Sequence, residues 1–501
     1  MTDIRQTLES AVEAHRAGKL AEAEKLYKQV LAADQNHVDA WRLLGVVASQ
    51  VGKFEIAVQL IGRAVQIRPD LPEGWTDLAE ALTGMGKLED AKVAYEKAIA
   101  IRPTFAGARA NLGEVLNKLG RTEEAMACWR EAARLDPKLP EPPYNMGGVL
   151  FAQGKPDEAA EYFRRAIEVQ PGFSPAHNNL GAVLWSQGKR KEASECFCRA
   201  VELNPKYAEA WNNLGSVWDE GGKHEEAMEC WTKAIALRPG YAEAHNNLGV
   251  ALEKRGARAA AIKEWQEASR LRPDWEVPKY YLAAAMASDA PAPTGPPAEY
   301  VAKLFDEYAD KFDQHLLGTL EYRVPDLLVA AVKRAGASRF EEVMDLGCGT
   351  GLCGEKFRPM AGRMVGVDLS TRMIEKARQR GIYDELMVGG LAEALRGREG
   401  DVDLVLAGDV LGYVGDLSEL FRAAQGAMRQ GGLFAFSVEK PSEKEGEGLV
   451  LRRTRRFAHS KSYVERTARE AGMEVVEMSE AVIRLDDQKP IEGMIVVVRR
   501  R

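Results

Sequence analysis

An all-α helical repeat array followed by a doubly wound α/β domain is the fold class that this sequence predicts. Three observations predict it: a strict 34-residue period through the first half, loss of that period near residue 287, and alternating β-rich and helical runs beyond residue 340. With 501 residues the chain exceeds the roughly 250–300 at which single hydrophobic cores stop growing, so at least two domains are expected.

The period is read first from proline, which stands at 69, 103, 137, 171, 205, 239 and 273. Alanine keeps the same step at Ala23, Ala57, Ala91, Ala125, Ala159, Ala193, Ala227 and Ala261. Four residues later comes a large side chain: Tyr27, Ile61, Tyr95, Trp129, Phe163, Phe197, Trp231 and Trp265. Three further on, from Ala64 to Ala268, the residue is small again. Positions i, i+4 and i+7 form one stripe on a helix, so small residues permit close helix approach and the large one is expected to fill the hole between neighbouring repeats. Glycine recurs from Gly18 to Gly256, where a left-handed residue ends the first helix without steric penalty. Proline stops the second. Eight repeats from residue 4 follow, with Glu276 to Ala287 as a capping helix, so the array is expected over 4–287.

These columns resemble the tetratricopeptide repeat family. The resemblance implies a right-handed superhelix whose concave groove binds a protein or peptide and carries no chemistry of its own. Asn111, Asn145, Asn179, Asn213 and Asn247 share one repeat position. They are similar to the stacked asparagines with which some such arrays grip a peptide backbone. The alternative reading is a structural column bonding one repeat to the next.

Composition narrows the function classes. Hydrophobic residues at 46% and charged residues at 29% are ordinary for a globular protein. The net charge of -7 offers no bulk attraction to nucleic acid or anionic membrane, and neither is expected as a partner. No apolar run is long enough to span a bilayer and the first ten residues lack an apolar core, so a cytoplasmic location is expected. Cys196 and Cys198 sit two apart in a helical pattern and face different ways, and no second cysteine or histidine pair follows at zinc spacing, so they read as packing cysteines rather than a metal pair; no metal site is expected.

The segment 288–298, with its SDAPAPTGPP run, predicts a proline-rich, semi-stiff linker. Beyond it, over 299–501, strands are expected at 342–346, 363–368, 385–388, 402–407, 432–438, 473–485 and 492–498, with helices between the first five. The run EEVMDLGCGTGL ends the first strand and opens a helix. Its glycines let a ligand approach the backbone. The next strand ends at Asp368, where an acid can take ribose hydroxyls. Ser370, Met373, Ile374 and Ala377 follow as an expected apolar wall for an adenine.

Here the sequence resembles the class I S-adenosylmethionine-dependent methyltransferases, a Rossmann-like seven-stranded fold. Asp345, Gly347, Cys348, Gly349 and Gly351 match that family's first motif and Asp368 its ribose-binding acid. Leu369 and Met373 fall beside it, and Asp409 lies in the run 401–417, which matches the family's fourth strand and its cofactor-side loop. The order of parts resembles bacterial methyltransferases with amino-terminal repeats. The resemblance implies S-adenosylmethionine as cofactor, held by those residues. One departure concerns adenine: Gly389 and Gly390 stand where the family often has an acid, and Glu393 lies a turn away.

The acceptor side is less legible. Tyr308, Phe312, His315 and Tyr322 are candidate lid residues, on a segment that in this family lies over the cofactor; ordinary amphipathic packing is the alternative. Asp409, His459 and Tyr463 are candidates for contacting the acceptor; the alternative is Ser460 as an N-cap, which would leave His459 merely adjacent. Arg452, Arg453, Arg455 and Arg456 read as a solvated strand face rather than an acid-binding cluster. The expected activity is methyl transfer to a protein or peptide recruited by the groove. A small-molecule methyltransferase and a non-catalytic scaffold are the alternatives.

Overall fold

The computed structural model describes residues 4–286, 293–486 and 488–501. Two compact units divide the chain, Met1–Pro239 and Gly240–Arg501.

The first unit is made of helix pairs. They are α1 (Ile4–Arg16) with α2 (Leu20–Ala33), α3 (Val38–Gln50) with α4 (Phe54–Ile67), α5 (Pro72–Gly84) with α6 (Leu88–Ile101), and α7 (Ala106–Lys118) with α8 (Thr122–Leu135). Then follow α9 (Glu141–Ala152) with α10 (Pro156–Val169), α11 (Ser174–Ser186) with α12 (Arg190–Leu203), and α13 (Ala208–Glu220) with α14 (His224–Leu237). The turn inside each pair rests on a left-handed glycine, with φ between +71° at Gly18 and +79° at Gly222. An L side chain is disfavoured there, which explains the glycine column. The periodic alanines from Ala23 to Ala227 are fully buried.

The large residue of the stripe packs within its own repeat as well as toward the next helix. Trp265 meets Tyr281 of the following helix with ring centroids 5.3 Å apart, while Trp129, Phe163 and Phe197 are each seated on a glycine of the first helix of their own repeat. A Cβ on Gly113, Gly147 or Gly181 would lie 2.5, 2.9 or 2.8 Å from the ring of Trp129, Phe163 or Phe197. Trp129 also donates its indole N–H to the Ala110 carbonyl at 3.0 Å. The Leu-Gly and Met-Gly pairs are therefore one half of a glycine–aromatic contact repeated along the chain.

The second unit opens with the eighth helix pair, α15 (Ala242–Lys254) and α16 (Arg258–Leu271), and with α17 (Glu276–Ala285). Residues up to 286, expected to group with the array, pack here because α17 buries Tyr280 and Ala284 against Leu451 and Phe457. Of the expected linker 288–298, residues 288–292 lie outside the described part. Its far end runs along the sheet domain, where the Thr294 carbonyl accepts from the Asp416 N–H at 2.7 Å.

Next come α18 (Ala298–Tyr308), α19 (Phe312–Gln314), a π-helical turn over His315–Thr319, and α20 (Val324–Arg334). The strands are β1 (Phe340–Leu346), β2 (Ala361–Asp368), β3 (Glu385–Val388), β4 (Val402–Ala407), β5 (Met428–Glu439), β6 (Leu449–Leu451), β7 (Phe457–His459), β8 (Met473–Asp486) and β9 (Lys489–Arg500). Between them lie α21 (Leu352–Phe357), α22 (Thr371–Arg380), α23 (Leu391–Leu395), α24 (Ser418–Ala427) and α25 (Lys461–Glu470). All seven expected strands are present. The hairpin β6–β7 is an addition whose three-residue strands carry no readable alternation.

Strand order is β3-β2-β1-β4-β5, with β9 antiparallel to β5 and β8 antiparallel to β9. The hairpin extends the sheet through one parallel pairing, Glu439 with Ala458. Apolar clusters cover both faces, one around Phe421, Phe434 and Phe436, the other around Leu328, Phe357 and Ile495. Successive strands are added on one side of β1 up to β3 and on the other side from β4 onward, so a crevice opens beyond the carboxyl ends of β1 and β4, where ligands bind in folds of this kind.

Candidate functional site

That crevice holds a cavity of about 300 Å³. Gly347 and Gly349, just after β1, form one side, with φ of +64° and +54°. A Cβ on Gly347 would lie 2.3 Å from Val410, so the loop can pass there only as glycine. Asp368, at the tip of β2, and Leu369 form the next wall, and Leu391 at the start of α23 another. Gly408 and Asp409 enter from the end of β4.

The backbone orients the Asp368 carboxylate. It accepts the Gly349 N–H on one oxygen and the Ser370 N–H on the other, each at 2.9 Å. Burial nevertheless pushes its pKa up, because a charged group loses water there. Asp345 lies one layer below and does not line the cavity. It accepts the Tyr383 hydroxyl at 2.7 Å, and burial pushes its pKa up to about 7.

The segment before the sheet roofs the cavity. Tyr308, Phe312, His315 and Tyr322 all line it, joined by Phe305. The rings pack edge to face: Phe305 on Tyr413 with centroids 5.1 Å apart, and Tyr308 on Phe312 at 5.4 Å. The Tyr308 hydroxyl bonds His315 Nδ1. Aspartates tie the roof to α22: Asp306 accepts the Ser370 hydroxyl at 2.5 Å, Asp310 pairs with Arg372 at 2.6 Å, and Asp313 pairs with Arg380.

The floor is an arginine–carboxylate network. Asp409 has a left-handed φ of +56°, a conformation Asp tolerates better than most residues. It pairs with Arg456 at 2.7 Å and Arg484 at 2.8 Å. Both arginines also reach Glu439, each at 2.5 Å, and Arg452 adds a third pair at 2.6 Å. Burial raises the Glu439 pKa, but Arg456 and Arg484 outweigh it and hold the carboxyl down at about 2. The Arg456 guanidinium also stacks over Tyr413, 4.4 Å from the ring centroid.

Several expectations need correction. Arg452 and Arg456 are built into this network rather than forming a solvated face, because β5 ends in the buried acid Glu439. His459 is fully buried, bonds the Gly415 carbonyl at 2.9 Å through Nε2, and does not line the cavity. Tyr463 is also turned inward, accepting the Leu417 N–H at 3.0 Å and donating to Asp416 at 3.1 Å. Ser460 caps α25, which directs both side chains to the core. Met373 is fully buried under α22 and does not line the cavity; Leu369 supplies that surface. Cys348 packs on Ile374 and Ala377, and Gly351 lies against Tyr383, both behind the loop rather than on the cavity. Glu393 does not line it either.

Arg484 and Glu439 are the residues that sequence reasoning missed. A charged residue inside AVIRL and another closing GGLFAFSVE were the available signals, since charge in an apolar strand asks for a partner.

In the repeats the asparagine column bonds one repeat to the next at three positions. Asn111 donates to Glu80 at 3.2 Å, Asn179 to the Tyr144 hydroxyl at 3.1 Å, and Asn213 to Asn178 at 3.0 Å, each on the preceding repeat. The same face forms a groove, lined by Tyr144, Asn145, Gly148 and Asn179 among others. Asn247 lies in the second unit, half-buried on α15. Among the described residues no group of acids, histidines or cysteines is arranged to hold a metal ion, and no helix is long and apolar enough to cross a membrane.

Comparisons with known proteins divide along the same line. Residues 2–204 match the family model described as the cilia and flagella-associated protein 70 C-terminal domain, a tetratricopeptide model, and residues 220–256 match a TPR repeat model. Residues 344–436 match a methyltransferase domain model. The biotin biosynthesis bifunctional protein BioHC of Teredinibacter turnerae is 30% identical over 198 residues, 35% of this chain and 34% of that protein. The ubiquinone biosynthesis O-methyltransferase of Cupriavidus pinatubonensis is 29% identical over 158 residues, 28% of this chain and 62% of that protein. The chain thus covers less than two thirds of either relative. Among solved structures, the APC/C hetero-tetramer Cut9-Hcn1 is 19% identical, covering 53% of this chain and 52% of that chain at a TM-score of 0.44.

Proposed function

We propose, for a chain that carries tetratricopeptide repeats followed by a methyltransferase domain, that residues 299–501 transfer the methyl group of S-adenosylmethionine and that the repeats recruit the protein that is methylated. The observation that carries the first part is the convergence of Gly347, Gly349, Asp368, Leu369 and Asp409 on one roofed cavity. Those residues fit the cofactor chemically: a backbone without side chains beside a carboxylate whose second acceptor sites face the cavity.

The bound cofactor supplies an electrophilic methyl on a cationic sulfur. The chain's task is then mainly to position, an effect whose scale is an effective molarity of about 10⁵–10⁸ M. Asp368, held by two backbone N–H groups, accepts from ribose hydroxyls. Leu391 and Leu369 offer adenine an apolar slot. The aromatic roof excludes water. His315 is the cavity's one imidazole. In the tautomer that gives Nδ1–H to the Tyr308 oxygen, Nε2 is the ring nitrogen that takes a proton from an acceptor that carries one. Burial pushes the Tyr308 hydroxyl up to about 12, so it stays neutral in that role.

A second reading, methylation of a small aromatic molecule, draws on the ring cluster of Phe305, Phe312 and Tyr413 and on the name of the ubiquinone biosynthesis relative. Titrating the full chain calorimetrically with S-adenosylmethionine tests the cofactor reading; no heat at millimolar ligand would overturn it. Radiolabelled cofactor in cell extract separates the acceptors. Label on macromolecules supports the first reading, and label on small metabolites the second.

A further inference from the structure

Arg456 reaches the cavity from the tip of the β6–β7 hairpin, and its backbone neighbour is in an uncommon conformation. Arg455 has φ of +62°, in the left-handed region that a side chain such as arginine seldom occupies. The tip is a tight turn: the Arg455 N–H donates to the Arg452 carbonyl at 2.8 Å, and the Arg452 N–H to the Arg456 carbonyl at 2.9 Å. Such a conformation persists only where surrounding contacts over-determine it.

Those contacts come from α17, the helix that follows the last repeat. The Tyr280 hydroxyl donates to the Arg455 carbonyl at 2.6 Å, and Tyr280 itself is 2% exposed. Its ring lies against Phe457 and Tyr300, with centroids 6.3 and 5.4 Å away. The Arg455 guanidinium stacks over the neighbouring Tyr281 at 4.9 Å. One residue along, Arg456 turns the other way, to Asp409, Glu439 and Tyr413. The hairpin tip is thus held from one side by the end of the repeat array and forms the cavity floor on the other.

We propose that Tyr280 is a positioning residue for the cavity: by holding the Arg455 carbonyl it fixes the left-handed turn that aims Arg456 at Asp409. The inference rests on the cofactor reading above for its effect on ligand binding, but not for its effect on the hairpin. Without the hydroxyl, the 455–456 peptide is free to turn to an ordinary right-handed geometry. That rotation swings Arg456 away from Asp409 and loosens the floor.

The test uses the full chain as wild type, Y280F, R455G and the double variant. Phenylalanine keeps the ring and its packing, and glycine accepts a positive φ without the hydroxyl's help. Hydrogen–deuterium exchange of residues 449–459 reads the hairpin, and calorimetry with S-adenosylhomocysteine reads the cavity. In Y280F the hairpin amides should exchange faster and S-adenosylhomocysteine should bind about three- to tenfold more weakly, the range for one lost hydrogen bond. Amides of β1 and β4 should not change. The double variant should bind and exchange like R455G alone, a rescue that simple loss of packing would not give. Unchanged hairpin exchange in Y280F, or a double variant as impaired as Y280F, overturns the proposal. A wild type that does not bind S-adenosylhomocysteine sinks the cofactor reading instead, and hairpin exchange still decides the role of Tyr280.

Discussion

Two adjacent glycines in one helix should respond in opposite directions to the same substitution. Gly147 and Gly148 both lie inside α9, so alanine at either gains about 0.8–1 kcal/mol of helix propensity. Their surroundings differ. A Cβ on Gly148 would meet nothing within 4 Å, whereas one on Gly147 would lie 2.9, 3.0 and 3.1 Å from three ring atoms of Phe163. Phe163 is fully buried, so its ring has little room to retreat, and overpacking of this kind costs about 1–3 kcal/mol. Gly148→Ala should therefore stabilise the array by up to about 1 kcal/mol, and Gly147→Ala should destabilise it by up to about 2 kcal/mol. The propensity gain cancels between them, leaving a difference of about 1–3 kcal/mol that reports the glycine–aromatic contact alone. Urea unfolding of the full chain, followed by far-ultraviolet circular dichroism, measures both. Equal shifts of the same sign would refute the claim that this contact, rather than helix propensity, fixes glycine at 147 and at its counterparts Gly113 and Gly181.

Asp368→Ala should weaken S-adenosylmethionine binding by roughly 1.5–3 kcal/mol in calorimetry, and lower apo stability as well, since the Gly349 and Ser370 N–H groups lose their acceptor. An unchanged affinity would remove Asp368 from the cofactor site. Replacing Asn145, Asn179 and Asn213 together by alanine breaks two described bonds between repeats, at about 0.5–1.5 kcal/mol each. A retained melting temperature with lost partner binding supports a peptide groove; a lower melting temperature with binding retained leaves the column structural. Asp345 keeps its proton to about pH 7, against 3.8 ordinarily, so the native state holds that proton more tightly than the unfolded chain does. Its stabilisation is complete below the lower value and is lost as pH rises through the higher one. Asp345→Asn, which cannot ionise, should therefore gain in melting temperature relative to wild type as pH rises from about 4 to about 7, with no further gain above that. A gap independent of pH would contradict the assignment.

What could be read from the chain alone depended on how far apart the interacting groups lie in it. The repeats were legible because the alanine stripe, the turn glycine and the terminating proline each act within one turn of helix. The glycine loop and Asp368 were legible for a similar reason, each marking the end of an apolar strand. The floor was not. Asp409 meets Arg456 and Arg484 from 47 and 75 residues away, and no local pattern encodes those pairings. Met373 misled because its neighbour Ser370 caps α22, accepting the Met373 N–H at 3.0 Å, and the side chain then falls on the sheet-facing side. Where the aromatic stripe would pack was equally open, since spacing alone cannot tell contact within a repeat from contact between repeats.

The roof over the cavity is fastened differently from everything beneath it. Asp310 and Asp313 are 59% and 41% exposed, and they meet a row of bases, Arg372, Lys376 and Arg380, spaced one turn apart along α22. Charges in contact with water are screened within about 8 Å at physiological ionic strength, while the buried pairs of the floor are screened much less. These roof pairs are therefore expected to weaken as electrolyte rises. Ligand exchange should quicken as electrolyte rises, at concentrations that leave the melting of the sheet untouched.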